Sequence, residues 1–181
     1  MTAIVVIGAI VAVGALYVVF PVAADAYRRF RGTRLVTCPE THQAAAVEVD
    51  ARRAAFKAAI GRNELSLRDC SRWPEREDCG QECLRQIEVA PEDCLVRTML
   101  TKWYQKQSCA LCTAPFEGIE SWGHRTALMK PDGTTVEWND VRAETLPDVL
   151  ATYHPVCWNC HIAASFRRQH PDLVIDRPTL H

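Results

Sequence analysis

Two tight cysteine pairs carry the clearest chemistry in this sequence: Cys109-Ala110-Leu111-Cys112 and Cys157-Trp158-Asn159-Cys160, with 44 residues between them. A Cys-x-x-Cys pair lets two thiolates fall on one side of a backbone turn at the Zn–S distance of about 2.3 Å, and two pairs complete a tetrahedron. The expected ligands are therefore Cys109, Cys112, Cys157 and Cys160, and the expected ion is zinc. The second pair also reads Cys157-Trp158-Asn159-Cys160-His161, the attachment sequence of a c-type haem, where two thioethers fix the porphyrin and the histidine ligates iron. That alternative takes Cys157, Cys160 and His161, leaves Cys109 and Cys112 without a task, and needs an oxidising, export-side compartment. Disulfides and an iron–sulfur centre are further alternatives. On the zinc reading His161 caps or supports the site, and His154 is a spare ligand.

A second group is less regular. Cys79-Gly80-Gln81-Glu82-Cys83 spaces two thiols by one turn of helix, Cys70 approaches from the end of an expected strand, and Cys38 from a strand beside a Pro39-centred turn. Cys38, Cys70, Cys79 and Cys83 together offer four ligands from three places, which suits a closed zinc site or an iron–sulfur cluster. Two other readings stand beside it: small buried thiols, since free cysteine is among the most buried residue types, and redox or disulfide pairs. Cys94 lies opposite the apolar stripe of Val96, Met99, Leu100 and Trp103. It is either an alternate ligand or the unpaired ninth thiol left by two four-thiol sites. The charged run Trp73 to Asp78 reads as a solvated loop rather than an acid/base site.

The elements that must position these residues are short. Leu35 to Cys38 and Ala45 to Val49 read as strands flanking a turn at Pro39 to Gln43. Ala51 to Ile60 reads as a helix stopped at Gly61, and Glu64 to Arg68 alternates at period two. Pro91-Glu92-Asp93 starts a helix whose apolar face runs to Gln107. His124 to Met129 and Thr134 to Trp138 read as strands joined by the turn Lys130-Pro131-Asp132-Gly133. A helix is expected from Ile162 to Arg168. Knuckle, hairpin, then a helix bearing the last two ligands resembles the treble-clef class of zinc modules over Cys109 to His170, and more loosely the zinc ribbons. That resemblance implies a structural metal site used for folding and partner contacts. The segment Asn139 to Tyr153 is longer than such modules usually carry.

Thr2 to Ala24 contains no charged side chain, and 23 helical residues reach about 34 Å, enough for a hydrocarbon core of about 30 Å. A spanning helix is expected. The rival is a signal peptide cut near Ala24 or Ala26. No basic residue precedes the run, whereas Arg28, Arg29, Arg31 and Arg34 follow it, so the charge bias puts the bulk of the chain on the cytoplasmic side.

The fold class expected is α+β, a single N-terminal transmembrane helix followed by small cysteine-rich, metal-stabilised modules. The expected division is 1–26 anchor, 27–34 basic juxtamembrane segment, 35–107 first cysteine module and 108–181 treble-clef-like zinc module. The 21 basic residues among 181 are balanced by 22 acidic ones, which argues against a nucleic-acid partner. Nine cysteines, about 5% of the chain, fall short of the roughly 8–10% that marks a disulfide scaffold. No phosphate-binding glycine loop, no Gly-x-Ser-x-Gly elbow and no His-Glu-x-x-His pair occurs, so neither catalysis nor a small-molecule substrate is indicated. The expected role is a non-catalytic assembly or docking subunit, holding one or two zinc ions, with the lipid bilayer and other membrane-complex subunits as partners. The alternative is an electron carrier bearing haem c or an iron–sulfur cluster.

Overall fold

The computed structural model describes residues 2–75, 78–105, 107–116 and 126–173. The chain divides into two compact units, Met1–Thr98 and Met99–His181. The division falls inside the helix that sequence reading placed wholly in the first module.

The first unit begins with α1 (Thr2–Phe30), which runs past the expected end of the apolar segment, so that Arg28 and Arg29 form its last turn, where a helix terminus favours cations. Its Val5–Phe30 stretch is long and apolar enough to cross a membrane, and the side chains from Val5 to Phe20 that are described lie exposed. Beyond it, β1 (Thr33–Thr37), β2 (Ala44–Val49) and β3 (Leu67–Cys70) form an antiparallel sheet in the order β1-β2-β3. The third strand forms a few residues later than the period-two pattern at Glu64 to Arg68 suggested. Helix α2 (Ala51–Ala59) starts where Asp50 accepts the Arg53 N–H at 2.9 Å and stops before Gly61, whose φ of +74° suits a residue without Cβ. Its small residues Ala51 and Ala54 are buried, as is Ala26 of the contacting α1. Period-two alternation sends Ala45, Val47 and Val49 to one face of the sheet. There they pack with Val36, Leu67, Cys70 and Cys83, and with Ile87 from α3 (Leu84–Val89), a helix the sequence reading lacked.

Arg34, counted in the sequence among the basic residues flanking the anchor, is fully buried. Its guanidinium donates to the carbonyls of Pro91 and Arg29, tying the end of α1 to the turn before Cys94. Leu35 N–H completes that tie to the Cys94 carbonyl at 2.8 Å.

Helix α4 (Val96–Tyr104) bridges the division. The Pro91–Asp93 start signal produces a turn instead, and the helix begins afterwards. In the second unit β4 (Thr126–Met129) lies between β5 (Thr135–Glu137) and β6 (His154–Cys157), both antiparallel to it. Gly133, at φ +81°, closes the β4–β5 turn as its sequence suggested; His124 and Arg125, expected to start β4, lie outside the described residues. The segment Asn139 to Tyr153 is no plain insertion: it contains α5 (Leu146–Thr152), which buries Leu146 and Val149. Pro147 at the helix start and apolar residues three apart were the legible signals. The chain then enters α6 (Trp158–Gln169), longer than the helix expected from Ile162. Tyr104 is buried and holds this layer together, donating to the Ala127 carbonyl at 3.0 Å and accepting from Trp138 Nε1 at 2.9 Å.

Candidate metal centre

Cys109, Cys112, Cys157 and Cys160 converge, with all four sulfurs within 4.8 Å of one another. The Cys112 and Cys157 sulfurs are 3.7 Å apart; tetrahedral thiolates at a bond length of about 2.3 Å stand about 3.8 Å apart. Among the described residues no other group of three or more His, Cys, Asp or Glu side chains is drawn together in this way.

Local backbone chemistry builds each half. Around the first pair the chain folds back on itself, with Ser108 bridging antiparallel to Pro115. Cys109 N–H donates to Ala114 O and Thr113 N–H donates to Cys109 O, both at 2.8 Å. Thr113 takes the left-handed conformation at φ +58° that closes this knuckle. Ala110 N–H then donates to Pro155 O at 2.9 Å, fastening the knuckle to β6. Cys157 stands at the end of β6 as the N-cap residue of α6, and Cys160 lies in the first turn of that helix. The positive end of the helix dipole therefore faces the sulfurs.

The site already favours negative charge at one sulfur. Burial pushes the Cys109 thiol up, but backbone N–H groups of Cys157, Cys112 and Leu111 outweigh it and bring the value down to about 6; the Cys157 N–H is 3.3 Å from that sulfur. Burial raises Cys157 and Cys160, and in both the neighbouring thiols of Cys109 and Cys112 add to the shift. With Cys109 lowered and Cys157 and Cys160 raised, further ionisation adds repulsion that a divalent ion would remove.

The two histidines named with this group stand apart from it. His154 is exposed on β6. His161 is buried on α6, with Nε2 3.9 Å from Glu137 Oε1, its ring 5.1 Å from that of Trp158 and Nδ1 without a partner.

In the first unit, Cys38, Cys70, Cys79 and Cys83 line one cavity of about 150 Å³. Cys79 and Cys83 do not share a turn of helix: Gln81 between them is left-handed at φ +54°, and Cys83 is the N-cap residue of α3. Burial raises Cys70, and raises Cys83 to about 11, with the other thiols of the group adding to it. Cys94 is not among the residues lining this cavity; its sulfur lies 3.7 Å from the Gln86 carbonyl. Glu75 of the charged loop pairs with Arg72, just before the loop, at 3.3 Å, while Arg76 and Glu77 lie outside the described residues.

Compared with protein-family models, curated proteins and solved structures, the chain matches none.

Proposed function

We propose that the chain is a non-catalytic, single-pass membrane protein whose cysteine-rich part lies on the cytoplasmic side and serves as an assembly or docking subunit of a membrane complex. The second unit is a treble-clef-like module closed by one zinc ion on Cys109, Cys112, Cys157 and Cys160. The convergence of four sulfurs from two distant pairs carries this reading. It also disfavours haem, because Cys157 and Cys160 already face the other two sulfurs while His161 stands outside the group. The order of knuckle, β4–β5 hairpin and ligand-bearing helix supports the treble-clef reading. The exposed apolar length of α1 supports the anchor, and the arginines that follow it support the orientation. Zinc at such a site fixes the fold and exposes its surroundings to partners rather than performing chemistry, since four thiolates leave no open position.

The test is metal analysis with a visible spectrum on the detergent-solubilised full chain. Zinc and a colourless second unit are expected. A haem band that survives denaturing electrophoresis would contradict the reading, as would N-terminal sequencing that finds cleavage near Ala24 or Ala26.

A further inference from the structure

The turn around Cys38 repeats the knuckle around Cys109 bond for bond. In the first unit Cys38 N–H donates to Gln43 O at 2.9 Å and His42 N–H donates back to Cys38 O at 2.8 Å. In the second, Cys109 N–H donates to Ala114 O and Thr113 N–H to Cys109 O, both at 2.8 Å. The residue four places after the cysteine is left-handed in each, His42 at φ +55° and Thr113 at φ +58°. The sulfurs are influenced alike as well: after the Thr41 hydroxyl, the backbone amides of Thr41 and Glu40 lower the Cys38 thiol against its burial, as those of Cys112 and Leu111 lower Cys109. Thr113 is β-branched, a type in which a positive φ is uncommon, whereas His42 is of a type that adopts it more readily; what the two turns share is the hydrogen-bond pattern. Aiming two amides at one sulfur is a geometry that stabilises a thiolate.

The knuckles differ at the position of the second ligand. Thr41 stands where Cys112 stands, its hydroxyl buried beside the Cys38 sulfur without a hydrogen bond of ordinary geometry. A single-cysteine knuckle needs its remaining ligands from elsewhere, and Cys70, Cys79 and Cys83 line the same cavity. Cys70 sits at the end of β3, and Cys83 is the N-cap residue of α3. Three separate elements thus turn sulfur into one space.

We infer that Cys38, Cys70, Cys79 and Cys83 form a second, separate metal centre that takes a thiophilic metal in tetrathiolate coordination. The donor set is that of zinc and of the iron in an iron–sulfur cluster alike. The sulfurs of this group are less tightly gathered than those of the second unit, and the cavity lies between them. The centre fastens the sheet to α3 through Cys83, in a core where Cys70 and Cys83 otherwise contribute only small apolar surface. This inference is independent of the zinc reading of the second unit, because each centre is counted through its own ligands.

The experiment is metal counting on the full chain in detergent. Metal content and visible absorption are first measured as isolated, under anaerobic, reducing conditions. The chain is then stripped and titrated with Co²⁺, whose thiolate-to-metal absorption reports each tetrathiolate site. Two equivalents are expected for the wild type and for Cys94→Ser. Cys38→Ser and Cys79→Ser, chosen because both side chains are only half-buried, should each bind one. That remaining equivalent should be lost when Cys160→Ser is added. Zinc as isolated assigns a single ion, and iron with acid-labile sulfide assigns a cluster. A single Co²⁺ equivalent in the wild type that Cys38→Ser leaves untouched overturns the inference. So does a disulfide found among these four cysteines in the chain as isolated.

Discussion

Cys160→Ser and His161→Ala change neighbouring residues on the same turn of α6, yet their expected effects differ by most of the stability of the second unit. The buried apolar residues described there are few: Leu100, Tyr104, Cys109, Ala127, Leu128, Leu146, Val149 and Val156. A core of that size belongs to the range in which small domains rely on a metal or disulfides. A structural zinc site supplies about 10–16 kcal/mol of apparent folding free energy, whereas whole domains retain only about 5–15 kcal/mol. Losing one of four thiolates therefore removes an amount comparable to the total. His161→Ala removes a buried ring whose Nδ1 has no partner and whose Nε2 is 3.9 Å from Glu137; a loss of about 1–3 kcal/mol is expected, within what a folded unit tolerates. Limited proteolysis of the full chain, with cut sites mapped by mass, separates the two. Cys160→Ser should open the region from Ala110 to His170, and His161→Ala should leave it resistant. Equal collapse in both variants would make His161 a ligand, and resistance retained in Cys160→Ser would mean that the cysteines do not hold the unit together.

Because Cys157 and Cys160 are raised and so protonated at neutral pH while Cys109 ionises at about 6, metal binding must displace about two protons or more near pH 7, and apparent affinity should rise with pH. Calorimetry in buffers of different ionisation enthalpy counts those protons; a pH-independent affinity would contradict the site. Tyr104→Phe should destabilise the second unit by about 1–3 kcal/mol by stranding Trp138 Nε1 and the Ala127 carbonyl, as thermal melts of the variant would measure. Burial raises the Tyr104 phenol from 10 to about 12. Its contribution is thus complete below pH 10 and lost as pH rises towards 12, about 3 kcal/mol in all, and the phenylalanine variant should not show that alkaline loss. Asp50→Ala should cost the first unit about 1 kcal/mol by removing the cap on Arg53 N–H, read by denaturant unfolding. A reporter fused to the C-terminus should be active only if it is of the cytoplasmic type, and activity of an export-dependent reporter would reverse the topology.

The four-cysteine cluster of the second unit was legible because two Cys-x-x-Cys pairs state a candidate ligand set in sequence alone, and the Pro131–Gly133 turn fixed the hairpin between them. What escaped was the filling. Helix α5 lay in a segment read as surplus, and β6 was missed because His154 and Pro155 weaken a strand signal that only pairing with Met129 and Leu128 makes good. In the first unit the β1–β2 strands and α2 followed from periodicity and Gly61. The Cys79–Cys83 spacing misled, since a spacing of four is compatible with a helical turn but a left-handed Gln81 removes it. The turn at Pro39 to Gln43 was legible from its proline, but not its knuckle form, which lies in backbone hydrogen bonds and the positive φ at His42. Arg34 was counted for its charge, while the fold uses its guanidinium as an internal tie.

The most direct test is the difference in zinc content between the wild-type full chain and a variant with Cys109, Cys112, Cys157 and Cys160 all replaced by serine, both purified in the same detergent without added metal. The four-thiolate account predicts a loss of about one zinc ion per chain, whatever the first unit holds. Identical zinc content in the two proteins would contradict it.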